Sequence, residues 1–109
     1  MTCLIRDAIP QDALCIGVLG MQVFLDTYAT EGIRSAIAKE ALHAFAPESI
    51  AQLIAEPGTV LIVAEVNNHL VGFAQIQLEA GHAMIDAANV AELQRLYIQE
   101  RFTGRGIGN

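Results

Sequence analysis

"LQRLYIQERFTGRGIG", Leu93 to Gly108, is the stretch on which the reading of the fold turns. Leu93 to Gln99 has the branched and aromatic side chains of a strand. Thr103 to Gly108 is a glycine-rich turn, with Gly104, Gly106 and Gly108 in alternation. Glycine lets the backbone approach a ligand, and successive N–H groups can converge on an anion. A helix starting just beyond adds the positive end of its dipole. Arg95, Arg101 and Arg105 are three of only six basic residues, so positive charge gathers where an anionic ligand would sit. A dinucleotide fingerprint requires G-x-G-x-x-G early in a βαβ unit, and a P-loop requires a closing Gly-Lys-Ser/Thr. Neither is present. Taken alone, the pattern fits a plain turn equally well.

Upstream, the chain divides into strand and helix signals. Cys3 to Arg6 is a short strand candidate. Pro10 opens a helix, because its missing N–H has no partner at that position anyway, and Asp12 adds negative charge to the first turn. Leu14, Val18, Met21, Leu25 and Tyr28 follow at helical spacing and predict one apolar face. Ile33, Ile37, Ala41 and Phe45 predict a second helix, and Pro47 restarts a helical run that Pro57-Gly58 ends. Thr59 to Val66, "TVLIVAEV", is then a β-branched strand. Asn67-Asn68-His69 is a turn, and Leu70 to Leu78 pairs back as a hairpin. Gly72 within it predicts a bulge or a close backbone approach. Ala80 to Asn89 reads as loop and Val90 to Gln99 as a fourth strand. Strict alternation there sets Glu92, Gln94 and Leu96 on one side and Leu93, Arg95 and Tyr97 on the other. The order predicts an α+β fold with a mainly antiparallel sheet.

Composition bounds what such a domain does. At 109 residues, 53% hydrophobic and 17% charged, the chain can bury one core. A net charge of −6 argues against nucleic acid as a partner. No run of about eighteen apolar residues predicts a membrane span, and Arg6, Asp7 and Pro10 interrupt any leader-like start. Cys3 and Cys15 are too few for a metal site or a disulfide framework. They predict buried free thiols in a reducing, cytoplasmic setting, with no metal.

"AELQRLYIQERFTGRGIG" resembles motif A of the GNAT family of N-acetyltransferases: a fourth strand, then an R/Q-x-x-G-x-G/A loop that grips the coenzyme A pyrophosphate. "IRDAIPQDA" is similar to the family's first strand and helix start, "FLDTY" to the end of its first helix in small amine acetyltransferases, and "VAEVNNHLVGFAQI" to its second and third strands. Thr103 departs from the pattern, standing where the family has Arg or Gln. The family's domain also continues with a helix and a fifth strand. The resemblance therefore implies that residues 1–109 are the N-terminal portion of a single such domain, ending after the fourth strand and the pyrophosphate loop.

That resemblance implies an acetyl-CoA-dependent N-acetyltransferase acting on a primary amine of a small molecule, polyamine or amino-acid-like. Acetyl transfer requires a neutral amine, a donor to the thioester carbonyl, a proton for the departing thiolate and alignment of both substrates. Glu92 is the candidate base; the plain alternative is a solvated carboxylate. The backbone of Leu96, Tyr97 and Ile98 is expected to hold the acetyl and pantetheine groups, with Thr103, Gly104, Arg105, Gly106, Ile107 and Gly108 around the pyrophosphate. Asp26 and Tyr28 are expected at the acceptor, although Tyr28 also completes the apolar face of its helix. His82 and Asp86 read as surface residues. The second function class is a noncatalytic acyl-CoA-binding or interaction module, or an inactive fragment. A fourth strand without a fifth predicts a homodimer or higher oligomer through residues 90 to 100.

Overall fold

Two prolines and one asparagine pair punctuate the chain. Pro10 begins a 3-10 turn, Pro10–Asp12, that runs into α1 (Ala13–Tyr28), and Pro47 begins α3 (Pro47–Ala55) after α2 (Ser35–Ala44). Asn67 and Asn68 both take left-handed backbone angles, with φ of +52° and +66°. Two such residues in succession form the tight turn whose twist suits a hairpin. That turn joins β2 (Thr59–Val66) to β3 (His69–Leu78). With β1 (Cys3–Asp7) and β4 (Ala91–Ile98), these strands form one sheet in the order β1-β2-β3-β4, every neighbouring pair antiparallel. The computed structural model describes residues 3–78 and 91–99. The expected loop at 80–89, with His82 and Asp86, lies outside the described residues, as does the glycine turn.

The helices pack on one face of the sheet. Their core joins Ala13, Ile16, Leu19, Phe45 and Ile50 to Leu61, Val63 and Phe73. Helix α1 uses a different stripe from the one its spacing predicts. Leu14, Val18 and Tyr28 are 61%, 57% and 66% exposed, whereas Ala13, Ile16, Gly17, Leu19 and Gly20 are buried. The helix is apolar almost all round, so hydrophobic periodicity offers several faces and the glycines decide among them. A Cβ on Gly17 would overlap the carbonyl oxygen of Phe45, and one on Gly20 would overlap the Phe45 ring. Only that stripe permits the close approach. Cys15, on the outward side, is accordingly exposed rather than buried, and Cys3 is partly buried; both thiols are free. Ile33 also departs from expectation. It precedes α2 and is 60% exposed, because Arg34 is still extended and the helix begins at Ser35.

Two irregularities shape the sheet. Ala64 pairs with Gly72 but Glu65 with Leu70, so Val71 is an extra residue on β3. Gly72 is also a close approach: a Cβ there would stand 3.0 Å from the Tyr97 carbonyl oxygen. On β4, Arg95 pairs with Gln75 but Leu93 with Ile76, which leaves Gln94 as a bulge. The bulge overturns the simple alternation. Tyr97 and Arg95 stay on the helix side, and Leu93 crosses to the side of Leu96, since an extra residue shifts the two-residue period by one.

One polar cluster fastens β1 to the start of α1. The Arg6 guanidinium donates to both carboxylate oxygens of Asp12 (2.8 and 3.0 Å) and to Glu65 Oε1 (2.8 Å). The Ile9 backbone N–H also donates to Asp12 at 2.8 Å. The hydrogen bonds from Arg6 hold the Asp12 carboxyl below the usual carboxylate range, against the opposing effect of its partial burial.

Candidate functional site

Strand β4 is the last strand in the sheet among the described residues, paired with β3 on one side only. Its outward edge therefore offers backbone N–H and C=O groups. Leu96, Tyr97 and Ile98 lie opposite Ala74, Phe73 and Gly72. Leu96 and Ile98 line a small cavity of about 90 Å³ on the side away from the helices, with Ile5, Ile62, Ala64 and Ala74. Glu92 is opposite Gln77, two positions before the Gln94 bulge. The end of β4 is tied down twice: the Gln99 N–H donates to the Val71 carbonyl at 2.9 Å, and its side-chain amide to Gln22 Oε1 on α1 at 2.8 Å. Residues 103 to 108, with Arg101, lie outside the described residues.

Tyr97 enters the helix side and joins a row of rings. Tyr28 meets Phe24 at 5.1 Å between centroids, Phe24 meets Phe45 at 5.7 Å, Phe45 meets Tyr97 at 5.6 Å, and Tyr97 meets Phe73 at 5.3 Å. All four contacts have the tilted or edge-on geometry that ring quadrupoles favour. The row holds five of the chain's six aromatic residues, so α1, α2, β3 and β4 converge where it runs. Arg95 lies over Phe45, its guanidinium carbon 5.5 Å from the ring centroid. Beside it, Gln75 is 8% exposed, and its Oε1 has no partner among the described residues.

Where the row reaches solvent it walls a cavity of about 420 Å³, lined by Phe24, Tyr28, Ile37, Glu40 and Tyr97. A second cavity of about 440 Å³ adjoins it at Tyr28 and Ile37 and carries Glu31 and Arg34. Of the two residues expected at an acceptor, Tyr28 lines both cavities, and Asp26 is exposed elsewhere on α1. Sequence reasoning missed Phe24, Ile37 and Glu40 as neighbours of Tyr97. The available signal was the three-residue spacing of Ile37 and Glu40, which sets them on one side of α2. Among the described residues, no three His, Cys, Asp or Glu side chains group as metal ligands.

A family model described as the acetyltransferase (GNAT) family matches residues 22–109. The chain belongs to that family. Solved GNAT-type structures share its fold. The PaiA N-acetyltransferase of Thermoplasma acidophilum, in complex with coenzyme A, is 22% identical with a TM-score of 0.80, covering 99% of this chain and 65% of that one. A GCN5-related N-acetyltransferase from Rhodopseudomonas palustris is 18% identical with a TM-score of 0.64, covering 99% and 59%. An aminoglycoside acetyltransferase from an uncultured soil metagenomic sample, in complex with sisomicin, is 14% identical with a TM-score of 0.66, covering 97% and 62%. The chain thus spans less than two thirds of the length of these GNAT structures. No curated protein sequence matches it.

Proposed function

We propose that this chain is the N-terminal portion of a single GNAT domain that transfers an acetyl group from acetyl-CoA to a primary amine of a small molecule. The observation that carries the reading is the family match, which runs through β4 and the glycine turn to residue 109. In this reading the open edge of β4 receives the amide-bearing arm of coenzyme A. The backbone groups of Leu96, Tyr97 and Ile98 are the partners, and the arm replaces the hydrogen bonds that a further strand would make. Such an edge fits an amide chain, since its donors and acceptors alternate as in a ladder. Thr103, Gly104, Arg105, Gly106, Ile107 and Gly108 hold the pyrophosphate through backbone N–H groups. Acetyl-CoA supplies the activated acyl group. The chain's own residues bind, align and deprotonate.

Glu92 is the base that takes the proton from the acceptor ammonium, directly or through water, so that a neutral nitrogen attacks. A backbone N–H of β4 donates to the thioester oxygen as it gains charge; as the carbonyl re-forms the C–S bond breaks, and the departing coenzyme A thiolate takes the second proton of the nitrogen through water. Tyr28 stands at the acceptor end of the site, with Asp26 as a second acceptor residue. The setting is cytoplasmic. Titration with acetyl-CoA, followed by thiol release over a panel of amines, tests the reading. Saturable binding with turnover that falls about 100-fold in Glu92→Gln supports it. Binding without turnover favours a noncatalytic acyl-CoA-binding module, and absence of binding removes the coenzyme from the chain.

A further inference from the structure

We infer that Gln22 is a positioning residue: from α1 it anchors the end of β4, where the chain passes from the backbone assigned to the coenzyme arm into the pyrophosphate turn. That the anchored chain grips coenzyme A rests on the acetyltransferase reading; the anchoring itself does not. Gln99 Nε2 donates to Gln22 Oε1 at 2.8 Å, across 77 residues of sequence. Among the described residues, this is the side-chain hydrogen bond that joins a helix to β4. Leu96, Tyr97 and Ile98 precede Gln99, and Thr103 to Gly108 follow it. Gln99 therefore stands between the two stretches assigned to the coenzyme.

Both ends of this contact are held from behind. The Gln99 N–H donates to the carbonyl of Val71, the extra residue on β3, which is 2% exposed. On α1, Leu19 and Gly20 are buried and Met21 and Val23 pack against the core, so the helix around Gln22 is seated on Phe45. A single main-chain bond fixes where an edge strand ends but leaves rotation about that point. A second attachment, from the helix layer, removes the rotation. Ordering the chain before the ligand arrives takes that entropy cost out of binding. Leu14, Val18 and Gln22 follow at four-residue spacing along the outward side of α1, and Gln22 is where that stripe meets β4. The groove that lines this stripe and reaches Gln99 holds, among the described residues, no carboxylate, lysine or arginine to compete for either amide.

The test uses Gln22→Met and Gln99→Met in the 109-residue protein, singly and together. Methionine keeps the length and helix propensity of glutamine and has no amide to donate or accept. Trypsin cuts after arginine, and Arg101 lies just beyond Gln99; the exposed Arg34, between α1 and α2, is the internal reference. In Gln22→Met, cleavage after Arg101 relative to Arg34 is expected to rise about fivefold, the effect of one hydrogen bond. Coenzyme A, titrated by calorimetry, is expected to bind about fivefold more weakly for the same reason. The double variant is expected to match the single ones, since each removes the same bond. The urea midpoint is expected to equal that of the parent. Unchanged relative cleavage, unchanged coenzyme A affinity, or losses that add in the double variant overturn the proposal. So does faster cleavage at Arg34 and Arg101 alike with a lowered urea midpoint, the mark of general loosening. A parent that binds no coenzyme A while the cleavage result holds overturns the acetyltransferase reading and leaves the anchor standing.

Discussion

On one side of the sheet, Leu61, Val63 and Phe73 lie beneath α1 and α3 and are at most 5% exposed. On the other, Ile5, Leu93 and Leu96 are 54%, 57% and 43% exposed, and no helix among the described residues packs there. Yet the two sides draw on the same kind of residue. Strand β2, "TVLIVAEV", is apolar at nearly every position, the pattern of a strand meant for burial on both faces. Hydrophobicity therefore says that both sides avoid water and does not say which one the helices take. That choice is made by shape, where the glycine stripe of α1 receives Phe45.

The largest loss of stability should come from removing the side chain that fits the glycines. Phe45→Ala empties a position only 2% exposed at the centre of the aromatic row. It should destabilise by about 3–5 kcal/mol in urea unfolding, whereas Leu96→Ala on the other side should lose less than about 1 kcal/mol. Similar losses at both positions would mean that the two sides are equally packed. Gly17→Ala comes next. Overlap with the Phe45 carbonyl should outweigh the helix propensity gained, leaving a net loss of about 2 kcal/mol, measured by thermal unfolding. A stabilised Gly17→Ala protein would show that α1 does not need its close approach.

A third test addresses the polar margin of the covered side, where Arg6 joins Asp12 and Glu65. The folded-state pKa of Asp12 is lowered, so its contribution is present above the unfolded value of about 3.9 and is lost as pH falls through the lower folded value. Asp12→Ala should lose about 1 kcal/mol at pH 7, chiefly through the Ile9 N–H and the Arg6 bonds. Its stability curve should converge with that of the parent as pH falls through the lowered folded-state value. A difference that persists unchanged into acid would assign the effect to packing instead.

The smallest effect on stability belongs to Leu93 and Leu96, on the side where no described helix packs. Lysine at both Leu93 and Leu96 should change unfolding free energy by less than about 0.5 kcal/mol. It should nonetheless change association. Exposed apolar side chains beside the edge of β4 favour pairing with a second copy. Sedimentation at about 100 μM should give a dimer or larger species for the parent and a monomer for the doubly substituted chain. A monomeric parent would remove self-association from the account of that surface.

Much of the architecture was legible residue by residue. Strand β2 occupies Thr59–Val66 as its β-branched run predicts, and Pro47 opens α3 where proline costs no hydrogen bond. The asparagine pair closes the hairpin because asparagine tolerates the left-handed region, and Gly72 marks both a bulge and a close approach. These signals are local: each depends on backbone preferences carried by one or two residues. What only the tertiary structure decided involved choices between equivalent local options. Helix α1 had several apolar stripes, and contact with Phe45 selected the glycine one. The alternation of β4 was regular in sequence until pairing with β3 inserted Gln94 as a bulge and turned Leu93 over. Tyr28, Phe24, Glu40 and Tyr97 come from three elements, so no spacing along the chain could announce the cavity they share. Local preference writes the elements, but the relative placement of side chains distant in sequence exists only once the helices have chosen a face.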